Sequence, residues 1–357
     1  MLTNEFTHYQ PTIACMQEVD LEQYEPYFIP LFQSLGYDHT MLVGEKKRHC
    51  ILIAWKRDRF ELAHRLDIHY DLLNAGTVGP CMYTGNVALC LGLRDKTFPG
   101  KGLWISTTHL YWHPRGSYER QRQAGILVSQ TVAFASSERR WPIILCGGNP
   151  LVRPYVADED FNSVPWGMTY NALTQRPIVL SPRQKEELEG SVSYDFRNVK
   201  EEEEEIAIDS EFGTSIPFDP TKDSSDSTPS WTPKDLHQPL LPEQERTLSI
   251  TPASIENNSL VLQHHAANPP LESLYSRGLK TVQPDGTIGA FGEPAFTNWS
   301  HGYKETLDYI FALKGDERVR LLGLLRMPTL QEMGDGEPQE GRFPSDHVCE
   351  MAEIALL

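Results

Sequence analysis

Short apolar runs recur along this chain, and several of them end in polar residues. Runs of this length, rich in β-branched and aromatic residues, predict buried strands at 12–16, 50–56, 86–92, 103–109, 143–147, 307–312 and 348–355. Residues Tyr118 to Ser136 mix apolar and charged positions and predict a helix. Arg120 and Arg122 are expected on its solvated face, with contact to phosphate as the alternative. The polar residues at the strand ends are therefore the first candidates for a functional site.

These strand ends offer carboxylate, amide and imidazole groups. Asp160 and Asn162 are two residues apart, so both side chains can point to one side of a strand end. The whole candidate set is Glu18, His109, Asp160, Asn162, Asp308 and His347. Such groups suit the hydrolysis of a phosphodiester, because that reaction needs a cation to offset charge, an oriented water and donors to the phosphate oxygens.

A metal-dependent phosphodiesterase is the enzyme class that this set suggests. Glu18 is the predicted metal ligand, since it lies just past the end of the apolar run at 12–16. Magnesium prefers oxygen donors and keeps several waters, so one or two carboxylates suffice for it. Magnesium is therefore the expected cofactor, with manganese as the alternative ion.

The remaining candidate residues have two predicted roles: some would bind the attacking water and others would bind the scissile phosphate. Asp160 and Asn162 would hold and activate the attacking water, since an amide supplies both a donor and an acceptor. His109 and His347 would bind the scissile phosphate. Asp308 would orient or tune one of the two imidazoles.

The order of these motifs resembles that of the endonuclease/exonuclease/phosphatase superfamily. Within it the chain is most similar to the deadenylase, nocturnin and Angel branch, and there to the Ngl-type RNA exonucleases. The motifs are Met16-Gln17-Glu18-Val19-Asp20, residues 107–114, Asp160-Phe161-Asn162-Ser163, residues 297–299 with 307–311, and Pro344-Ser345-Asp346-His347. The resemblance implies an α/β (α+β) fold, a DNase I-like four-layer sandwich of two mixed β-sheets flanked by helices. It also implies magnesium-dependent 3′-to-5′ hydrolysis of single-stranded RNA that releases 5′-monophosphates.

The resemblance adds five positions to the candidate site. It implies that Asp346 is a further metal ligand and that Asn298 and Asn86 contact the substrate. Pro114 and Tyr303 fall where the deadenylase branch sandwiches a base, and stacking on an aromatic ring stabilises binding by ~1–3 kcal/mol per base. The alternative is that the proline only shapes a turn and the tyrosine packs against a neighbouring tryptophan.

The chain departs from the family pattern in three places. Few residues precede Glu18, so a first strand ending in a metal-binding asparagine is expected to be missing. Residues 148–159 separate an apolar strand from Asp160, although the family joins the two directly. Cys50 stands where relatives commonly have glycine. The first two departures leave open a catalytically impaired paralogue, or a truncated or mis-spliced product.

Composition fits one large domain with an insertion. The chain has 357 residues, 39% of them apolar, and a formal net charge of −17. Residues 181–276 hold nineteen acidic against seven basic residues, or −12, which leaves −5 for the remainder and reduces the conflict with RNA binding. The expected organisation is residues 1–180 and 271–357 as two parts of one domain, separated at 181–270 by an acidic disordered insertion. That insertion is either a solvated spacer or a segment that binds a basic protein partner.

The lack of a targeting signal in the sequence and the spacing of its cysteines predict an intracellular protein. The N-terminus lacks a charged-then-apolar signal pattern, no run approaches the ~18 apolar residues of a membrane span, and the six cysteines show no C-x-x-C spacing. Nucleus, nucleolus and cytoplasm remain alternatives. A phosphatase acting on a small or RNA-terminal phosphate is the alternative enzyme, because the superfamily reuses one metal site.

Overall fold

The predicted apolar runs form the strands of three β-sheets in a computed structural model of the protein. The structure describes residues 2–138, 140–147, 162–195, 250–284, 288–300, 304–334 and 345–357. Nearly all of them belong to one unit, made of Met1–Tyr194 and Ile250–Leu357. All seven predicted strands and the predicted helix are present, with ends shifted by a few residues.

The first sheet is antiparallel and has the order β1-β3-β2. Its strands are β1 (Ile13–Asp20), β2 (Tyr37–Val43) and β3 (His49–Lys56). Helix α1 (Leu2–Tyr9) precedes it, and β1 leads into α2 (Leu21–Gln23), a π-helical turn (Tyr24–Phe28) and α3 (Ile29–Leu35). Phe6 and Phe32 from these helices pack edge to face in a core with Met16 and Leu52. The helices therefore cover the outer face of this sheet.

The second sheet is mixed and has the order β4-β5-β6-β7-β9-β8. Its strands are β4 (Phe60–His69), β5 (Val87–Asp95), β6 (Gly102–Thr108), β7 (Ile143–Gly147), β8 (Leu271–Ser273) and β9 (Tyr309–Leu313). Strands β6 and β7 run parallel, and the other neighbours are antiparallel. Ile51 and Ile53 from the first sheet share a core with Leu89 and Leu91 from the second. Two sheets thus pack face to face, as predicted.

Helices cover the outer face of the six-stranded sheet. They are α4 (Ser117–Phe134), α5 (Met168–Thr174), α6 (Pro182–Ser193) and α7 (Ile255–Ala266), and they are followed by α8 (Leu274–Val282) and α9 (Leu330–Met333). Trp104 of β6 and Leu127 of α4 lie in one buried cluster with Leu173 of α5 and Val261 of α7. The resulting order of helix, sheet, sheet and helix confirms the predicted four-layer sandwich.

The prediction of a solvated face on α4 was wrong. Arg120 is 5% exposed and Arg122 is fully buried, because α5, α6 and α7 all pack on this helix. Arg122 pairs with Glu119, its Nη2 lying 2.6 Å from Oε1. It also donates to the carbonyl oxygen of Leu73 at 2.7 Å. The charges in the pattern mark an internal ion pair and not a surface.

The ends of the predicted disordered insertion, 181–270, are helical, which corrects its bounds. Helix α6 begins at a capping box between Ser181 and Gln184, and α7 begins at Ser254, whose side chain accepts from the Asn257 amide. Leu188 and Val261 anchor these helices in the core below α4. Residues 196–249 lie outside the described part of the chain, so the division of the domain stays a prediction.

Strands β1 and β11 (Ala352–Leu356) leave one edge each without a partner among the described strands. The two-stranded third sheet pairs β11 with β10 (Val319–Leu324), and β1 pairs only with β3. Both edges line one cavity of about 750 Å³, floored by Leu103, Ile105 and Ile144. No helix in the described segments has the length and apolarity needed to cross a bilayer.

Candidate active site

Glu18 lies in a β-bulge of strand β1. Met16 pairs with Leu52 and Val19 pairs with Cys50, so two residues of β1 oppose one residue of β3. Glu18 takes a left-handed conformation there, with φ of 51°. Bulges bend a strand and redirect a side chain, and such strained backbone is concentrated at functional sites. The bulge thus sets the direction of the predicted metal ligand.

Two histidines share this position with Glu18. His49 begins β3 and is paired with Asp20 in register, while His109 follows directly after β6. His109 Nδ1 lies 3.9 Å from Glu18 Oε1, and the two imidazole centroids are 5.6 Å apart. One potential ligand atom from each of the three residues lies within 4.8 Å of the other two. The described residues therefore contain a group able to hold a divalent cation.

His49 was not predicted to be a site residue, although its position in the sequence indicates that it could be one. It directly precedes the apolar run at 50–56, and Glu18 lies two residues after the end of the run at 12–16. Antiparallel pairing of these two runs places the start of one beside the end of the other.

The environment of His109 favours its neutral form. Burial is the largest cause and moves the pKa of His109 well below its usual value. Positive charge on His49, Lys47 or His347 acts in the same direction, while a hydrogen bond with the Asn162 side chain opposes it weakly. The neutral ring has one donor and one acceptor nitrogen. The charge of His347 therefore acts on His109 across this part of the structure.

Asp308 and His347 form a buried pair. His347 Nδ1 lies 2.9 Å from one carboxylate oxygen of Asp308 and 3.0 Å from the other. The side chain of Asp308 is 5% exposed and that of His347 is 1% exposed. The Thr297 hydroxyl accepts the backbone N–H of Asp308 at 3.1 Å, and Asn298 forms a backbone bridge with His347. This network holds the imidazole of His347 in one orientation.

Asn298 and Asp346 contact each other. Asn298 Nδ2 donates to Asp346 Oδ2 at 3.2 Å, and burial raises the pKa of the Asp346 carboxyl. Asp346 is not part of the group formed by Glu18, His49 and His109. The structure thus joins a predicted substrate contact to a predicted metal ligand beside His347.

Asn162 is buried next to His109. Its Nδ2 donates to the carbonyl oxygen of Leu110 at 2.8 Å, and its backbone is left-handed, with φ of 54°. This contact anchors the predicted water-binding amide to the segment that carries His109. Asp160, its predicted partner in holding the water, lies outside the described residues, and so does Tyr303, which was predicted to sandwich a base with Pro114.

Asn86 and Pro114 occupy different environments. Asn86 is buried and its Nδ2 donates to Gln123 Oε1 at 3.4 Å. The same oxygen accepts the backbone N–H of Tyr111 at 3.0 Å, which ties Asn86 to the segment after His109. Pro114 is exposed in the loop that follows. Exposure leaves the ring of Pro114 accessible, as the predicted base contact requires.

Curated relatives identify the family of this chain. No protein-family model matches it. A probable RNA exonuclease of Schizosaccharomyces pombe is 37% identical over 100% of this chain and 70% of its own length. RNA exonuclease NGL2 of Saccharomyces cerevisiae is 29% identical over 100% of this chain and 72% of its own length.

Solved structures agree on the fold. The structure of ANGEL2, a 2′,3′-cyclic phosphatase, in complex with adenosine-2′,3′-vanadate matches 99% of this chain and 85% of that one, with TM-score 0.59 and 21% identity. The human Nocturnin catalytic domain with bound sulfate anion matches 100% and 85%, with TM-score 0.55 and 18% identity. The two-sheet sandwich is therefore the DNase I-like fold of the endonuclease/exonuclease/phosphatase superfamily. Within that superfamily the chain belongs to the family of the Ngl-type RNA exonucleases. The resemblance deduced from the motifs is confirmed.

Proposed function

We propose that the protein is a divalent-metal-dependent 3′-to-5′ exonuclease that acts on single-stranded RNA ends. The observation that carries this proposal is the proximity of two chemical units at the strand ends. Glu18, His49 and His109 form the first unit, and the pair of Asp308 and His347 lies near His109. The names of the relatives supply the substrate class, since the curated relatives above are RNA exonucleases.

Members of this superfamily generally depend on a divalent metal ion. Glu18 fits this requirement, because its carboxylate lies beside two further donors and a bulge directs it. A bound cation would offset phosphate charge and lower the pKa of a coordinated water. Magnesium is the ion predicted from the sequence, and Asp346 remains its second proposed ligand.

The reaction breaks the bond between phosphorus and the 3′ oxygen of the preceding nucleotide. A water oxygen attacks the phosphorus, its protons leave, and the departing 3′ oxygen takes up a proton. The products are a shortened RNA with a 3′ hydroxyl and a nucleoside 5′-monophosphate. Asn162 and Asp160 are proposed to hold the attacking water, with Asn162 anchored by its bond to the Leu110 carbonyl.

His347 is proposed to donate to a phosphate oxygen. Asp308 accepts from Nδ1, so the ring nitrogen that remains for the substrate is Nε2. The carboxylate also stabilises the imidazolium form, in which both nitrogens are donors. His109, kept neutral by burial, supplies a donor without a second full charge. Asn86 and Asn298 are proposed to contact the substrate at the edge of this group.

A cleavage assay tests the proposed function. The purified chain receives 5′-labelled RNA with a 3′ adenosine tract, with divalent metal or with chelator, and a matched RNA carries a blocked 3′ end. A metal-dependent ladder that shortens from the 3′ end, absent for the blocked RNA, together with released 5′-monophosphates, is the expected result. A folded protein that binds the RNA and leaves it intact contradicts the proposal and favours an impaired paralogue.

Removal of a terminal phosphate is the second candidate function. The observation that favours it is the match in fold to ANGEL2, whose solved structure is described as a 2′,3′-cyclic phosphatase. An RNA ending in a 2′,3′-cyclic phosphate distinguishes the two reactions. Loss of the cyclic phosphate without shortening of the RNA supports the phosphatase, while stepwise shortening supports the exonuclease.

Location and protein partners also remain proposals. An intracellular location is supported by six cysteines that form no disulfide. A basic protein partner is proposed for the acidic segment, because five consecutive glutamates at 201–205 create a dense negative charge. Co-purification with the chain and with a variant lacking 201–205 tests this partner.

A further inference from the structure

The three residues at the β1 bulge form an unusual donor set for magnesium. Glu18 offers a carboxylate oxygen, whereas His49 and His109 each offer an imidazole nitrogen. Magnesium binds almost entirely through oxygen and loses its waters reluctantly. Imidazole nitrogen suits Mn²⁺, Co²⁺ and Zn²⁺ better, and affinity for nitrogen-containing sites rises along that series of transition metals.

The spacing of the donors fits one ion after a small adjustment. Metal to nitrogen bonds of about 2.0–2.1 Å separate donors on opposite sides of an ion by at most about 4.2 Å. His109 Nδ1 and Glu18 Oε1 are already 3.9 Å apart. All three donor atoms lie within 4.8 Å of one another, and tetrahedral ligands of one ion are about 3.4 Å apart, so side-chain rotation must close the widest pair by up to about 1.5 Å. His49 is half-buried.

The backbone holds the three residues on rigid elements. The bulge fixes Glu18 in β1, His49 begins the neighbouring strand β3, and His109 directly follows β6 of the facing sheet. A site built on strand ends of two packed sheets is more precise than a site on a mobile loop. The three donors therefore come from both sheets of the sandwich.

We propose that Glu18, His49 and His109 form a two-histidine, one-carboxylate site for a divalent transition metal ion, which binds there more tightly than Mg²⁺. This inference deepens the proposed function by naming the class of ion and by assigning His49 as a ligand. It rests on the proposed function only in taking this ion as the one used in hydrolysis. The binding itself is independent of any RNA.

Spectroscopic titration with Co²⁺ tests the site without an activity measurement. The untagged full chain is stripped with chelator and titrated while visible d–d absorption is recorded, and calorimetry with Zn²⁺, Mn²⁺ and Mg²⁺ follows. His49→Gln removes one ligand. His39→Gln is the matched control, because His39 is also half-buried in the same sheet but contacts Tyr24 instead of Glu18.

One Co²⁺ per chain is expected, with affinity at least about tenfold weaker in His49→Gln and unchanged in His39→Gln. Mg²⁺ at about a hundredfold excess is expected to leave the Co²⁺ spectrum in place. Equal Co²⁺ affinity in His49→Gln and the parent chain overturns the proposal, and so does displacement of Co²⁺ by an equal concentration of Mg²⁺.

The cleavage assay separates this proposal from the proposed function. Co²⁺ binding that requires His49, in a chain that cleaves no RNA with any ion, supports the metal site and contradicts the exonuclease. Mg²⁺-dependent cleavage that His49→Gln leaves unchanged, with unaltered Co²⁺ binding, supports the exonuclease and overturns the metal site. Failure of the proposed metal site and failure of the proposed exonuclease activity therefore give different experimental results.

Discussion

His347 and Asp308 are joined by a buried hydrogen bond of 2.9 Å between Nδ1 and Oδ2. The two residues are 39 positions apart in sequence, and their contact links the end segment of the chain to the start of strand β9. A carboxylate in this position selects the tautomer of the ring and stabilises its cationic form. The pair thus leaves Nε2 as the ring nitrogen of His347 that can contact a substrate.

Asp308→Asn is expected to slow RNA hydrolysis by about a hundredfold or more, because the amide cannot stabilise a cationic imidazole. Single-turnover cleavage measures the effect. Asp316→Asn is the matched control, since Asp316 is also buried but pairs with Arg318 in a turn. Equal rates for Asp308→Asn and the parent chain contradict the assigned role of the pair.

Asn86→Ala is expected to raise KM for RNA about tenfold with a smaller change in kcat. The physical reason is the loss of a donor to an anionic substrate, and a hydrogen bond to a charged group is worth about 1.5–3 kcal/mol. Asn74→Ala, an exposed residue in a nearby loop, serves as the control. Steady-state kinetics that show no change in KM remove Asn86 from the substrate site.

Glu119→Ala is expected to lower the free energy of unfolding by about 3–5 kcal/mol, because Arg122 keeps its charge in a fully buried position. Urea denaturation followed by circular dichroism measures this loss. Glu61→Ala breaks the exposed pair with Arg94 and is expected to cost less than about 1 kcal/mol. Similar losses for the two variants would show that the interior pair does not stabilise α4.

Acid is expected to weaken the packing of α7 on α4 through His265. Burial lowers the pKa of His265 to about 4 from its usual 6.5, and its Nε2 contacts the Gln121 carbonyl oxygen at 2.8 Å. Between these two pKa values the unfolded state binds more protons, so the free energy of unfolding falls as pH falls from 6.5 towards 4.

The comparison with His265→Gln isolates this contribution to the pH dependence. The parent chain is expected to lose up to about 3 kcal/mol more than the variant over this pH range. Urea denaturation at several pH values provides the measurement. Parallel pH profiles for the two proteins would exclude His265 as the source of acid sensitivity.

Strand prediction succeeded where both faces of a strand are buried. Strands β5 and β6 are apolar through most of their length and were predicted within a few residues. Strand β4, with exposed charges such as Glu61 and Arg65, was not predicted, because one of its faces meets solvent and its apolar run is interrupted. The buried charges of α4 were wrongly predicted to face solvent for a related reason. A sequence pattern cannot distinguish an internal ion pair from a solvated face.

The site was predictable as a set of residues but not as a geometry. The motifs identified Glu18, His109, Asn162, Asp308 and His347, and the structure brings the described members together. The bulge that directs Glu18, and with it the role of His49, depends on the register of β1 and β3. Register is set by pairing across the sheet, which a single strand does not encode by itself.

The most direct test of the account is metal-dependent shortening of a 5′-labelled, 3′-adenylated RNA by the parent chain, by Glu18→Gln and by Glu22→Gln. Glu22 is an exposed glutamate four residues away and provides the control. The account predicts shortening by the parent chain and by Glu22→Gln, and a loss of at least about a hundredfold in Glu18→Gln. Shortening by Glu18→Gln at the parent rate would contradict the central claim that Glu18 binds the catalytic metal.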